Sequence, residues 1–269
     1  MNNSIKTLLV IFSYILPALN YASVSDHRDR TTSKQQTDMK NKKVLFIVTS
    51  ADLVKSNGKK TGLWLEEFAA PYYIFKKQGY EITVASPKGG VAPIDPKSKL
   101  PEYTSESVKK FMEDPLAQEE LNTSLKLTDI KVNEYDAVFF PGGTGPVWDL
   151  PDNLRSIKII EYFYDAEKPT ALVCHAPAAL KNVKDSKGNL LIKGKKITAF
   201  TNSEEAAGHS EDMVPFSVEN MLKERGALYQ RGENWKGFLC IEKNLITGQN
   251  PASASLAAQK VIELLNASK

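Results

Sequence analysis

Histidine and cysteine are what this chain has least of. Its 269 residues include three histidines, His27, His175 and His209, and two cysteines, Cys174 and Cys240. His27 lies in a polar N-terminal segment, and the other two share no recognisable ligand spacing, so no metal site is expected. An excess of one charge is missing as well. The formal net charge is +3, and no basic block is interleaved with aromatics. The one basic run, "KNKKV" at 40–44, reads as a solvated strand entry. Nucleic acid is therefore not an expected partner. No internal repeat is present, and 42% hydrophobic with 25% charged residues is the balance of an ordinary globular protein.

The first residues stand apart from the rest of the chain. One lysine precedes an apolar stretch over about 8–19, and small and polar residues come next. That is the length of a secretory signal and too short for a membrane span. Ala22 fits as its last residue, although Asn20 stands where a small residue is preferred. Residues 23–41 are polar and lack apolar periodicity, as a disordered linker does. The expectation is a signal peptide over 1–22, a periplasmic or secreted protein, and no stable membrane association once the signal is removed. A start at Met39, just before the first strand, would instead make the protein cytoplasmic.

Beyond residue 42 strands and helices alternate. "KVLFIVTS" (43–50), "YDAVFFPGG" (135–143) and "PTALVC" (169–174) are apolar runs of the kind buried parallel strands show. After the first comes "GLWLEEFAAPYYIFKKQG", with Leu65, Phe68, Tyr72 and Phe75 at helical spacing and Gly79 as its stop. "KKITAF" (195–200) reads as another strand, and "GFLCIEKNLITG" (237–248) as a hairpin turning near 243–244. The last helix opens with Asn250 as cap and Pro251 as its first residue. A polar, helical insertion at about 100–130 interrupts the rhythm and reads as a small cap over one sheet end. Repeated β-α units imply one α/β domain over 42–267, a mainly parallel sheet with helices on both faces. Ligands bind such sheets at the carboxyl ends of strands, where "FFPGGTG", "LVCHAP" and "AFTNSEE" all fall.

Two cysteines permit one disulfide, which an exported protein could form. Cys240 reads as a buried thiol of the hairpin, and its pairing with Cys174 is disfavoured. Cys174 ends an apolar strand, with His175 next and the small residues Ala176, Pro177 and Ala178 opening a helix. A nucleophile in a sharp strand-to-helix turn has this outline, and a helix N-terminus favours a thiolate. Leu172 is bulkier than such a turn prefers, so the segment by itself leaves nucleophile and buried thiol both open. Gly142 and Gly143 allow backbone N–H groups to approach an oxyanion, with the amides of Gly143 and His175 as a candidate pair. On its own the loop is also an ordinary glycine turn.

Taken together, "VCHAPAAL", "FFPGGTGPVWDLP", "GLWLEEFAAPYYIFKKQGYEITVASPKGG" and "LITGQNPASASLAAQKVIELL" resemble the ThiJ/PfpI superfamily, of class I glutamine amidotransferase-like fold. The nearer resemblance is to its branch of small heat-shock chaperones and glutathione-independent glyoxalase III (D-lactate dehydratase) proteins. The resemblance covers nearly everything from Lys43 onward. It implies a flavodoxin-like three-layer sandwich and a homodimer. It implies Cys174 as nucleophile, His175 as its partner, Glu67 as a second acid, and Glu205, with Glu204 as fallback, as the acid that orients His175. Without it, Glu66 and Glu67 read as helix-face charges and "SEE" as a helix-cap cluster. Relatives often carry histidine where this chain has Thr144, and a hydroxyl cannot shuttle protons near neutrality as imidazole does. Gly142, Gly143 and Thr144 are the implied oxyanion and substrate-binding residues.

Amidotransferases of related fold carry His-x-Glu late in the chain, which is missing here, so glutaminase activity is not expected. The expected activity is glyoxalase III-type conversion of a small dicarbonyl, methylglyoxal or glyoxal, to a 2-hydroxy acid in carbonyl-stress defence, a lyase reaction with neither cofactor nor metal. The alternatives are a stress holdase with a redox-sensing or vestigial cysteine, and a cysteine peptidase or amidase. The last needs an open cleft, which the 101–127 insertion argues against.

Overall fold

The computed structural model describes residues 42–267, so the expected signal (1–22) and linker (23–41) lie outside the described residues. Strands β1 (Lys43–Ile47), β2 (Glu81–Ser86), β3 (Leu125–Lys126), β4 (Ala137–Phe140), β5 (Thr170–Val173), β8 (Leu239–Glu242) and β9 (Leu245–Gly248) form one sheet. Its order is β3-β2-β1-β4-β5-β9-β8, and only β8 runs antiparallel to its neighbour. β6 (Lys196–Ile197) and β7 (Leu228–Tyr229) form a separate parallel pair. The helices are α1 (Leu65–Lys77), α2 (Glu106–Glu113), α3 (Pro115–Asn122), α4 (Pro146–Asp149), α5 (Leu154–Asp165), α6 (Asn202–Gly208), α7 (Val218–Glu224) and α8 (Ala254–Ala267).

Strand periodicity divides the core in two. On β1, Val44 and Phe46 point to one face, while Leu45 and Ile47 point to the other. Phe46 and Phe139 pack under α1 through Phe68 and Phe75, and Ala257 and Val261 of α8 share that layer. Across the sheet, Ile47, Phe140 and Leu172 meet Ile160 and Phe163 of α5. The sandwich expected from the alternating pattern is thus the observed architecture. Among the described residues, no helix is long and apolar enough to cross a membrane.

One local expectation needs correction. "KKITAF" does not extend the main sheet: only Lys196–Ile197 is strand, and it pairs with β7. The chain instead docks by single bonds, Thr198 N–H to Thr247 Oγ1 at 3.1 Å and Phe200 N–H to Cys174 O at 2.8 Å. "HAPAAL" does open a helix, of the 3-10 type, over Ala176–Asn182. The insertion also does more than cap. β3 edges the sheet beside β2, and Phe111 of α2 packs edge to face on Phe68 at 5.7 Å.

Candidate active site

The order of strands reverses beside β1, and the loops after β1, β4 and β5 converge there. β5 ends at Val173, and Cys174 turns the chain with φ of 61°. That conformation costs a residue with a side chain on the order of 1–3 kcal/mol. It is held from both sides, because Cys174 N–H donates to Gly248 O and Cys174 O accepts from Phe200 N–H. The tight turn expected from the sequence is present.

Around the sulfur stand the predicted groups. His175 Nδ1 lies 3.3 Å from Cys174 Sγ, and His175 Nε2 lies 2.8 Å from Glu205 Oε2. Both residues are buried. Ser210 Oγ donates to the other oxygen, Glu205 Oε1, at 2.6 Å. Burial alone would raise the Glu205 carboxyl, but the His175 charge and the bonds from His175 and Ser210 leave it below its ordinary value. Glu205, not Glu204, is therefore the acid on His175.

Glu67 comes from the first turn of α1 and is fully buried. Gly142 N–H donates to its Oε2 at 2.9 Å, while Oε1 has no conventional hydrogen-bond partner and the Cys174 thiol interacts with the carboxyl. Pro71, four residues on, has no N–H to offer the Glu67 carbonyl, so that helical bond is not made. Burial raises the Glu67 carboxyl to about 7, against the opposing pull of Cys174, Gly142 and His175. Glu66, its neighbour, lines the same cavity and accepts from Ser105 Oγ at the start of α2.

One expectation fails. The turn does not acidify the thiol: burial, followed by the Glu67 charge, drives Cys174 well above a free thiol. A 3-10 helix supplies little dipole, and the Gly143 N–H, directed at the sulfur, works the other way without offsetting the burial. The glycines have steric reasons. A Cβ on Gly142 would lie 2.7 Å from both Cys174 Cβ and Glu67 Oε2, and Gly143 has φ of 95° with Trp64 N only 2.4 Å from where its Cβ would be. Thr144 is buried, and its hydroxyl pairs with that of Thr61 at 2.6 Å.

Glu204, beside Glu205, is also buried. Its Oε2 accepts from Thr201 N–H and Oγ1–H, and its Oε1 from Trp235 N–H, Gln249 Nε2 and Asn250 Nδ2, all at 2.8–3.2 Å. It ties three loops together behind the site. Sequence reasoning found Cys174, His175, Glu67, Glu205 and the glycine loop. It missed Ser210, Thr61 and the cavity wall of Trp64, Tyr103, Phe200 and Trp235, along with Asp95, a buried carboxyl raised by its burial. Their only sequence signal is residue type, because each reaches the site through a contact distant along the chain. Among the described residues, no group of three or more His, Cys, Asp and Glu is placed to hold a metal ion, and both cysteines are free thiols.

Residues 60–264 match the DJ-1/PfpI family. A protein described as Glyoxalase 3, from Candida albicans, is 35% identical over 231 residues, 82% of this chain and 97% of that protein. The glutathione-independent glyoxalase HSP31 of Saccharomyces cerevisiae is 29% identical over 235 residues, 83% of this chain and 98% of its own length. Among solved structures, Rapid Encystment Protein 24 kDa of Francisella tularensis superposes with a TM-score of 0.79 at 37% identity, covering 83% of this chain and 99% of that one.

Proposed function

The chain belongs to the DJ-1/PfpI family, and from that premise we propose that it is a glutathione-independent glyoxalase turning methylglyoxal into D-lactate. The observation that carries the reading is the placement of Cys174 between two different proton carriers. His175, backed by Glu205, stands on one side, and Glu67, with a carboxyl near 7, stands on the other. The Candida and Saccharomyces relatives are both glyoxalases by name.

The steps follow from this geometry. Glu205 accepts the Nε2 proton of His175, leaving Nδ1 to take the thiol proton as sulfur attacks the aldehyde carbon. The new oxyanion lies near the Gly143 and His175 amides and is protonated to a hemithioacetal. Glu67 takes the C–H proton of that carbon and returns it to the neighbouring carbon through an enediol, while the Thr144 hydroxyl, backed by Thr61, binds the second oxygen. A carboxyl near 7 is suited to both halves of that transfer at neutral pH. Water then cleaves the thioester and restores the thiol. The sum is dicarbonyl plus water to 2-hydroxy acid, a lyase reaction in which no external electron acceptor takes part.

Export through residues 1–22 and a homodimer belong to the same proposal. Purified protein is expected to consume methylglyoxal without glutathione and to release D-lactate. Cys174→Ala is expected to lose at least about a thousandfold in kcat/KM, as loss of a nucleophile does. Retention of full activity by that variant overturns the mechanism. Suppression of protein aggregation that ignores Cys174→Ala, with no dicarbonyl consumed, favours a holdase instead.

A further inference from the structure

The cavity in front of Cys174 is far larger than a three-carbon dicarbonyl needs. Its volume is about 750 Å³, within the range of about 300–1,000 Å³ that encloses drug-sized ligands. Two aromatic walls lead away from the sulfur. One starts at His175: Phe200 lies over the imidazole with ring centroids 4.4 Å apart, and Trp235 meets Phe200 edge to face at 5.7 Å. The other starts at the glycine loop, where Trp64 N–H donates to Gly142 O and the Trp64 ring meets Tyr103 edge to face at 5.0 Å. Trp235 and Tyr103 both line the cavity and are 49% and 38% exposed. Trp235 thus offers an apolar surface to it, and Tyr103 offers what the Lys97 ammonium, 5.8 Å from its ring centroid, leaves free.

Trp235 is held there against its own preference. Its φ is 62°, in the left-handed region that a bulky side chain avoids. Its N–H donates to Glu204 Oε1 at 2.8 Å, so a buried carboxylate locks the turn. Glu167 and Lys243 adopt the same region in turns away from the cavity, with φ of 55° and 59°. Trp235 differs from them in that its locked turn carries an indole on the cavity wall.

We propose that the site accepts 2-oxoaldehydes whose ketone carbon carries a bulky apolar or aromatic group, with Trp235 and Tyr103 as the residues that select it. This rests on the glyoxalase reading. The dicarbonyl end reaches Cys174, and the substituent lies against the aromatic walls. The chemistry is unchanged. Sulfur bonds to the aldehyde carbon, the hydrogen of that carbon passes as a proton to its neighbour, and water cleaves the thioester. R–CO–CHO and water become R–CH(OH)–COOH.

The test compares initial kcat/KM for phenylglyoxal and methylglyoxal, with Cys174→Ala run alongside to subtract uncatalysed loss to protein side chains. The wild type is expected to favour phenylglyoxal by about tenfold or more. Trp235→Asn removes the indole while tolerating the left-handed backbone, and is expected to lower that ratio about three- to tenfold. Tyr103→Ala, on a separate element, should lower it too, and Trp235→Phe should fall between. These second variants decide the matter if Trp235→Asn fails to fold. Methylglyoxal turnover with phenylglyoxal no faster, or a ratio indifferent to the substitutions, overturns the proposal and leaves the glyoxalase reading standing. Turnover of neither substrate, or equal turnover by Cys174→Ala, sinks that reading and this proposal together.

Discussion

Glu67 and Glu204 are both completely buried and both press their charge on Cys174, yet the chain surrounds them in opposite ways. Glu204 receives five hydrogen bonds, so both of its oxygens are occupied by structure. Glu67 receives one backbone bond at Oε2, its Oε1 has no conventional partner, and the Cys174 thiol interacts with the carboxyl. Burial is the same, and the supply of donors differs. A buried carboxylate with every lone pair engaged holds loops together, whereas one short of donors keeps a proton within reach of neutral pH. The difference separates glue from chemistry within one small region.

The sharpest way to break that comparison is Glu67→Gln. The amide keeps the size of the side chain but cannot carry the proton. The expected loss in kcat/KM is about 10²- to 10⁴-fold, the usual worth of a general base, with the melting temperature preserved or raised. Steady-state kinetics and a thermal melt on the same sample check it. Unchanged activity would remove Glu67 from the mechanism.

Glu204→Gln should show the reverse. Whichever end its NH2 occupies, a donor then faces donors, and each unsatisfied buried group costs about 1–3 kcal/mol. A total of roughly 3 kcal/mol lowers the melting temperature by about 6–12 °C for a domain of this size. Activity per folded molecule should fall less than with Glu67→Gln. A loss confined to activity would show the two glutamates to be doing the same work.

The pH dependence of stability sharpens the contrast further. The folded chain holds the Glu67 proton more tightly than the unfolded chain does. Its contribution therefore favours the fold below its ordinary value of 4.5 and is lost as pH rises through about 7. Glu205, held below its ordinary value, has the opposite sign: its contribution is present above that value and fades as pH falls. The gap in melting temperature between Glu67→Gln and the wild type should widen from pH 5 to pH 8. A constant gap contradicts the raised carboxyl.

How much of the fold and the site is legible in the sequence depends on range along the chain. β1, β4 and β5 announce themselves as apolar runs because both sheet faces are covered. Cys174 stands out as a candidate because a strand end, a histidine and small residues sit side by side, and the family resemblance decides between nucleophile and buried thiol. β6 misleads, since two residues of strand carry almost no pattern. The choice between Glu204 and Glu205 cannot be read locally either. Successive helical residues point about 100° apart, and which one meets His175 depends on how α6 docks. Glu66 and Glu67 pose the same problem on α1, and there the family resemblance decides it. Ser210, Thr61 and Trp235 have no local sign at all, because each acts through a partner at least five residues away.

Ser210 gives the smallest and most specific test. Its hydroxyl occupies the Glu205 oxygen that His175 leaves free, so Glu205 has a full set of partners while Glu67 does not. Ser210→Ala removes one bond to a charged group at the site, and the expected fall in kcat/KM is about fivefold, ~1 kcal/mol. A fall of that size alone would not distinguish positioning from general loosening. The pH profile does. The Ser210 bond helps to hold Glu205 below its ordinary value, so its loss should move the acid limb of kcat/KM toward higher pH, and Ser210→Thr should restore the limb. An acid limb that stays in place while the rate falls would mean that Ser210 only packs α6, and that Glu205 orients His175 without help.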